Sequence, residues 1–209
     1  MQKLYCIFKT LNEMLTDRGY NTRDYQNIDY NDFLSFKNRT NLSGIYSTDR
    51  NPIMYDDIKK RYNDKKLKKI TTKNDSNTNV YVGYIYGKGK TGKSCKEDII
   101  KIIELILFLN VNRLIIISEI GITALVKNQC DSFKHKIRIE FFNDNELVEN
   151  ITKKTLMPTF ERTSNTMTIS GYLYANDPIV KYFGFQYQDV IKICKNEETI
   201  YKKVVNQDK

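Results

Sequence analysis

Val80 to Ser118 reads VYVGYIYGKGKTGKSCKEDIIKIIELILFLNVNRLIIIS, and its apolar spacing changes twice along the way. Val80 to Tyr86 is apolar or aromatic at nearly every place and predicts a strand. Lys96 to Leu109 repeats isoleucine and leucine at three- and four-residue intervals and predicts a helix. Leu114 to Ile117, four aliphatic residues in a row, predicts a strand buried on both faces. Moving outward, Ile122 to Lys127 reads as a short helix and Lys136 to Phe142 as a third strand. The resulting β-α-β-α-β unit implies a small, mostly parallel sheet with the Lys96 helix over one face.

Inside this unit Gly87, then Lys88 to Thr91, then Gly92, Lys93 and Ser94 fit the G-x-x-x-x-G-K-[ST] phosphate loop. A strand before it and a helix after it would let backbone N–H groups cradle phosphates, with Lys93 on the outer phosphates and Ser94 on Mg²⁺. One reading is therefore a small nucleotide-binding protein using Gly87 to Ser94. Three features oppose it. Leu114 to Ile117 is followed by Ser118 and only then Glu119, which displaces the acid a metal needs. The unit has few strands for a nucleotide-binding sheet, and a lysine-rich chain can form such a turn by composition.

Towards the N-terminus, Leu4, Phe8, Leu11 and Leu15 share one helical face, and Gly19 is placed to end that helix near Arg18 in a left-handed cap. A second helix starting near Asp29 or Asn31 would bury Phe33, Leu34 and Phe36. The pattern then dissolves through 38–58. Lys59, Lys60, Arg61, Lys65, Lys66, Lys68, Lys69 and Lys73 follow, with Asp64 as counter-charge, in a polar stretch that reads as a loop. Such clustering points to a polyanion, because each neutralised phosphate releases counterions; a general Lys/Asn/Ile bias is the competing explanation. The first domain is expected to span 1–146, and a smaller second one 147–209.

The chain has 209 residues, net charge +9, 40% hydrophobic content, four cysteines and one histidine. Cys6, Cys95, Cys130 and Cys194 form no CxxC pair, so zinc and dithiol chemistry are not indicated and buried reduced thiols are expected. His135, between Lys134 and Lys136, reads as part of a solvated basic turn. No catalytic residue, metal site or cofactor is expected. The longest apolar run, Ile99 to Leu109, is broken by Lys101 and Glu104, and Met1 to Phe8 lacks a signal-peptide core. An intracellular protein without a membrane partner is the expectation.

In the last 60 residues, Asp177 can cap a helix, Pro178 suits its first position and Gly184 can close it in the left-handed region. Val190 to Ile193 and Tyr201 to Val205 read as a hairpin across Asn196 to Thr199. The string Asp177 to Gly184, followed by Asp189 to Ile193, resembles the assembly domain of the RNA polymerase subunit 5 family, the fifth subunit shared by eukaryotic nuclear polymerases, which also has an archaeal counterpart. Leu4, Lys9, Thr10, Met14, Asp17, Arg18, Gly19 and Tyr20 resemble that family's N-terminal helix, which ends Asp-Arg-Gly-Tyr. Glu140, Phe141, Glu146, Leu147, Asn150, Ile151, Thr152, Leu156 and Pro158 resemble its joining segment.

The sequence departs from the family in places. Lys154 or Thr155, and Phe160, stand where the family usually has histidines, the stretch Thr159 to Asn176 is too short for a family helix, and the final hairpin is clipped. This trimming and the Lys/Asn/Ile bias point to a version from a large DNA virus. The resemblance implies an α/β plus α+β protein: an N-terminal jaw-like domain with helices and a small sheet, and a small C-terminal α/β assembly module. It implies a non-catalytic polymerase subunit docked on the largest subunit and close to downstream DNA and transcription regulators. Location would be the nucleus if cellular, or the virion and host cytoplasm if viral. Asp177, Pro178, Tyr182, Gly184, Lys192 and Tyr201 are the implied assembly residues. Lys59, Lys60, Arg61, Lys65, Lys66, Lys68, Lys69 and Lys93 are the candidates for DNA phosphate.

Overall fold

The computed structural model describes residues 1–34, 43–58, 79–85, 92–154, 156–164, 168–196 and 198–206, with backbone alone for 92–95. They fall into two units, Met1–Glu149 and Asn150–Lys209.

In the first unit, strands β1 (Gly44–Ser47), β2 (Ile53–Met54), β3 (Asn79–Ile85), β4 (Arg113–Ser118) and β5 (Arg138–Asn143) form one sheet in the order β2-β1-β3-β4-β5. Strands β3, β4 and β5 are parallel, with Tyr81 opposite Leu114 and Leu114 opposite Ile139. Parallel neighbours need a crossover, and helices α3 (Gly92–Phe108) and α4 (Ala124–Cys130) supply the two. Ile99, Ile103, Ile106 and Leu109 pack on Tyr81, Ile85, Leu114 and Ile116, while Ile139 and Phe141 close the edge of this cluster. Each isoleucine fully buried in this way stabilises the unit by about 1.5–3 kcal/mol. The alternate residues, Ile115 and Ile117, are equally buried, which is why the strand reads as an unbroken aliphatic run.

Helix α1 (Gln2–Asp17) buries Leu4, Ile7, Phe8, Leu11, Met14 and Leu15, and Gly19 follows it at φ +87°. Its end meets β5 on the face away from α3, where Arg18 pairs with Glu140. Asp29 caps the four-residue helix α2 (Tyr30–Phe33) by accepting from Asp32 N at 2.7 Å. Of the expected stripe, Phe33 is buried, Leu34 is 45% exposed and Phe36 lies outside the described residues. A single turn has room for one inward residue.

The sheet differs from the mostly parallel one expected. Strand β1 pairs antiparallel with both β2 and β3, so the sheet is mixed. These two strands occupy a stretch read as patternless. Gly44, Ile45, Tyr46 and Ser47 are all buried, and a fully buried four-residue strand shows no alternation.

The second unit is a four-stranded sheet, β6 (Thr159–Thr163), β7 (Gly171–Tyr174), β8 (Val190–Lys195) and β9 (Glu198–Val205), in the order β6-β8-β9-β7, with helix α5 (Pro178–Phe183) between β7 and β8. The expected hairpin is β8–β9, turned through Asn196 at φ +55°. The stretch read only as a shortened connection carries both edge strands: β6 antiparallel to β8, β7 parallel to β9. Edge strands need one apolar face at most, and Thr-Phe-Glu-Arg-Thr turns Phe160 to the core while Glu161 lies opposite Lys192 on the other face.

Candidate functional site

Helix α5 is built by local chemistry. Asp177 Oδ1 accepts from Ile179 N at 2.8 Å, and Pro178 takes the first position, where a missing N–H costs nothing. Gly184 sits at φ +66°, ψ +32°, its N–H reaching Lys181 O, while Phe185 N–H reaches Val180 O. A side chain is strained in that conformation, so glycine is the fitting residue. Val180 joins Ile191, Ile193 and Val204 in the core, bordered by Phe160, Leu173 and Phe185. Phe160, which stands where the resembled family has a histidine, packs its ring 5.7 Å from that of Phe183. Tyr182 is 3% exposed, its ring edge-on to Phe183 at 5.1 Å. Asp177, Pro178 and Gly184 therefore fix the two ends of α5, and Tyr182 is buried against Phe183.

Lys192 and Tyr201 do something different. They lie opposite each other on β8 and β9, and Glu161 of β6 is opposite Lys192. Strand alternation points all three away from the face that carries Ile191, Ile193 and Val204. On the same outward face Tyr172 lies opposite Lys203, and Tyr174 opposite Val205. Tyr172 is 64% exposed and Tyr174 51%. Helix α5, the one α-helix among the described residues of this unit, covers the other face. The outcome is a sheet face carrying Tyr172, Tyr174, Tyr201, Lys192 and Lys203. Its two most exposed members were missed from sequence, although a tyrosine at i and i+2 across Leu173 is a readable signal once a strand is placed there.

The expected phosphate-contact residues Lys59, Lys60, Arg61, Lys65, Lys66, Lys68 and Lys69 lie outside the described residues. Lys93 is in the first turn of α3, with its side chain likewise outside them. The backbone on each side of the Gly87 to Ser94 loop follows strand-to-helix order. At the end of β4, however, Ser118 donates to Ile120 O at 2.6 Å and occupies the place of the metal-holding acid, with Glu119 exposed beyond it. His135 is exposed between two exposed lysines. Of the expected buried thiols, Cys130 is buried, while Cys6 and Cys194 are only partly so; Cys194 lies on the outward face of the second sheet. Among the described residues no helix is long and apolar enough to cross a membrane.

No family model matches the chain. Among curated proteins, it is 26% identical over 213 aligned residues to "DNA-directed RNA polymerases I, II, and III subunit rpabc1" of Dictyostelium discoideum, an alignment taking in 95% of this chain and 93% of that protein. It is 30% identical over 104 residues to the subunits named RPABC1 of Caenorhabditis briggsae and Caenorhabditis elegans, covering 43% of this chain and 48% of theirs. The chain is thus similar, over nearly its whole length, to a subunit of the DNA-directed RNA polymerases.

Proposed function

We propose that this chain is a non-catalytic subunit of a DNA-directed RNA polymerase, homologous to RPABC1. The alignment that runs through both units and covers 93% of the Dictyostelium subunit carries this reading. The Asp177 to Gly184 string and the Asp-Arg-Gly-Tyr end of α1 support it from separate parts of the sequence. In this reading the second unit docks on the largest subunit through the outward face of its sheet, where Lys192 and Tyr201 stand beside Tyr172 and Tyr174. Exposed tyrosines flanked by lysines suit such a role, since rigid aromatics contribute much of the binding energy at interfaces. The first unit lies near downstream DNA, with Lys59 to Lys69 as sequence-independent phosphate contacts. The trimmed Thr159 to Asn176 segment and the Lys/Asn/Ile bias fit a version encoded by a large DNA virus, acting in the virion and host cytoplasm.

The experiment is to purify the tagged chain from its native cell or virus at moderate salt and identify what accompanies it by mass spectrometry. Stoichiometric recovery of the two large polymerase subunits is expected. The double variant Tyr172→Ala, Tyr174→Ala should fold normally and reduce that recovery at least about thirtyfold, the loss of a strong interface anchor. A chain recovered alone, binding ATP in a manner abolished by Lys93→Ala, would overturn the reading.

A further inference from the structure

Strand β5 ends the first sheet, pairing with β4 on one side and with no described strand on the other. Successive residues of a strand send their backbone groups to opposite sides, and in a parallel pair every second residue bonds the neighbour. Arg138 N donates to Asn112 O at 2.7 Å, which fixes the phase. Arg138, Glu140 and Phe142 therefore bond β4, while Ile137, Ile139, Phe141 and Asn143 turn their N–H and C=O outward. The N–H groups at the two ends of this row are taken: Ile137 N donates to Phe133 O at 2.9 Å, and Asn143 N to Glu146 Oε2 at 2.7 Å. Between them, the N–H and C=O of Ile139 and Phe141 have no hydrogen-bond partner among the described residues.

Natural sheets blunt an open edge with proline, bulges or free charges. β5 reads Arg-Ile-Glu-Phe-Phe-Asn, has no proline, and keeps an unbroken register with β4. Its two charged side chains pair with each other, and Glu140 pairs also with Arg18. Two donors and two acceptors in extended spacing match the backbone of another strand. Side chains of residues bonded to Ile139 and Phe141 would lie over those two, which are partly buried at the border of the α3 and α4 cluster. The residue between them would face Glu140, whose two oxygens lie 2.9 Å from Arg18 Nη2 and 3.4 Å from Arg138 Nε. Lys134 and Lys136, both exposed, stand just before the strand.

We propose that the outer edge of β5 takes up an extended segment of another polypeptide. That segment has apolar residues beside Ile139 and Phe141, an uncharged residue facing Glu140, and carboxylates at the end near Lys134 and Lys136. A second copy of this chain fits less well. The antiparallel register that satisfies all the open groups of both copies sets Glu140 directly opposite its counterpart, and like charges so placed are destabilising. The edge lies in the first unit, and its chemistry is independent of whether the chain serves a polymerase.

The test follows amide hydrogen exchange of the full chain, resolved to single residues by NMR. The probes are the capped peptides Val-Thr-Val-Thr-Glu-Glu and Glu-Glu-Thr-Val-Thr-Val at millimolar concentration, which offer the two strand directions. At ten times its Kd, one of them should slow exchange at Ile139 and Phe141 about tenfold beyond any change at Arg138. Phe141→Pro removes an outward N–H and none of the bonds to β4, and should weaken binding at least about tenfold. Phe141→Leu loses the ring, keeps the N–H and should stay within about threefold of the parent affinity. Reversing both Lys134 and Lys136 to glutamate should weaken binding about fivefold at low salt. Exchange at Ile139 and Phe141 that neither peptide slows, or binding that Phe141→Pro leaves intact, overturns the proposal. A dimer in sedimentation that Phe141→Pro dissolves would also overturn it, by giving the edge to a second copy.

Discussion

Replacing Glu140 by glutamine should loosen β4 and β5 by about 3 kcal/mol, the low end of what breaking a buried ion pair costs, because Arg138 keeps 29% of its surface in water. The substitution keeps the shape and removes the charge that Arg18 and Arg138 share, so two part-buried guanidiniums losing their common carboxylate supply the penalty. Amide hydrogen exchange in β4 should accelerate about a hundredfold. Two features separate this electrostatic cause from simple loss of packing. Added salt should recover part of the protection, since a half-buried charge excess is partly screened. The double variant Glu140→Gln, Arg138→Gln should be milder than the sum of the single changes, because residues in one ion-pair network couple. Exchange in β4 unchanged by Glu140→Gln would mean that Arg18 and Arg138 are neutralised without Glu140.

What could be read from the sequence was what local physics decides. Val80 to Phe142 announced its alternation because β3 and β4 are buried on both faces and α3 on one, so their apolar periods differ plainly. Asp177, Pro178 and Gly184 announced α5 because each acts on backbone groups within a few residues. The four short strands β1, β2, β6 and β7 stayed hidden for another reason. Each holds at most five residues, and its apolar content is set by the neighbour it pairs with.

The candidate surfaces show the same division. Lys192 and Tyr201 stood out through a resemblance, but that they share a face with Tyr172 follows only from the register of four strands. The pairing of Arg18 and Arg138 with Glu140 could not be read at all. Positions 18 and 140 carry no common local signal, and they meet because the fold brings the end of α1 against β5. In both units the chemistry with long-range partners was the part the chain did not announce.

Tyr182→Ala should unfold the second unit. Tyr182 is 3% exposed and lies edge-on to Phe183, whose ring stacks on that of Phe185 at 5.3 Å. Truncating an aromatic of this kind costs about 3–5 kcal/mol through lost burial and a residual cavity. The core of this unit is small: Val180, Ile191, Ile193 and Val204, edged by Phe160, Leu173 and Phe185. A single core in a unit below roughly 70–80 residues rarely supplies more than about 3–5 kcal/mol, so the whole margin is at stake. Limited proteolysis should then cut within 150–209 and leave the first unit whole, and amide protection in β8 and β9 should vanish. Tyr182→Phe keeps the ring and should cost about 1 kcal/mol. Tyr172→Ala, at a site 64% exposed, should leave protection in β8 and β9 untouched while weakening any association made through the outward face. The pair of variants thus separates a residue that maintains the module from one that presents its surface. Intact β8 protection in Tyr182→Ala would show that the buried ring is dispensable to the sheet.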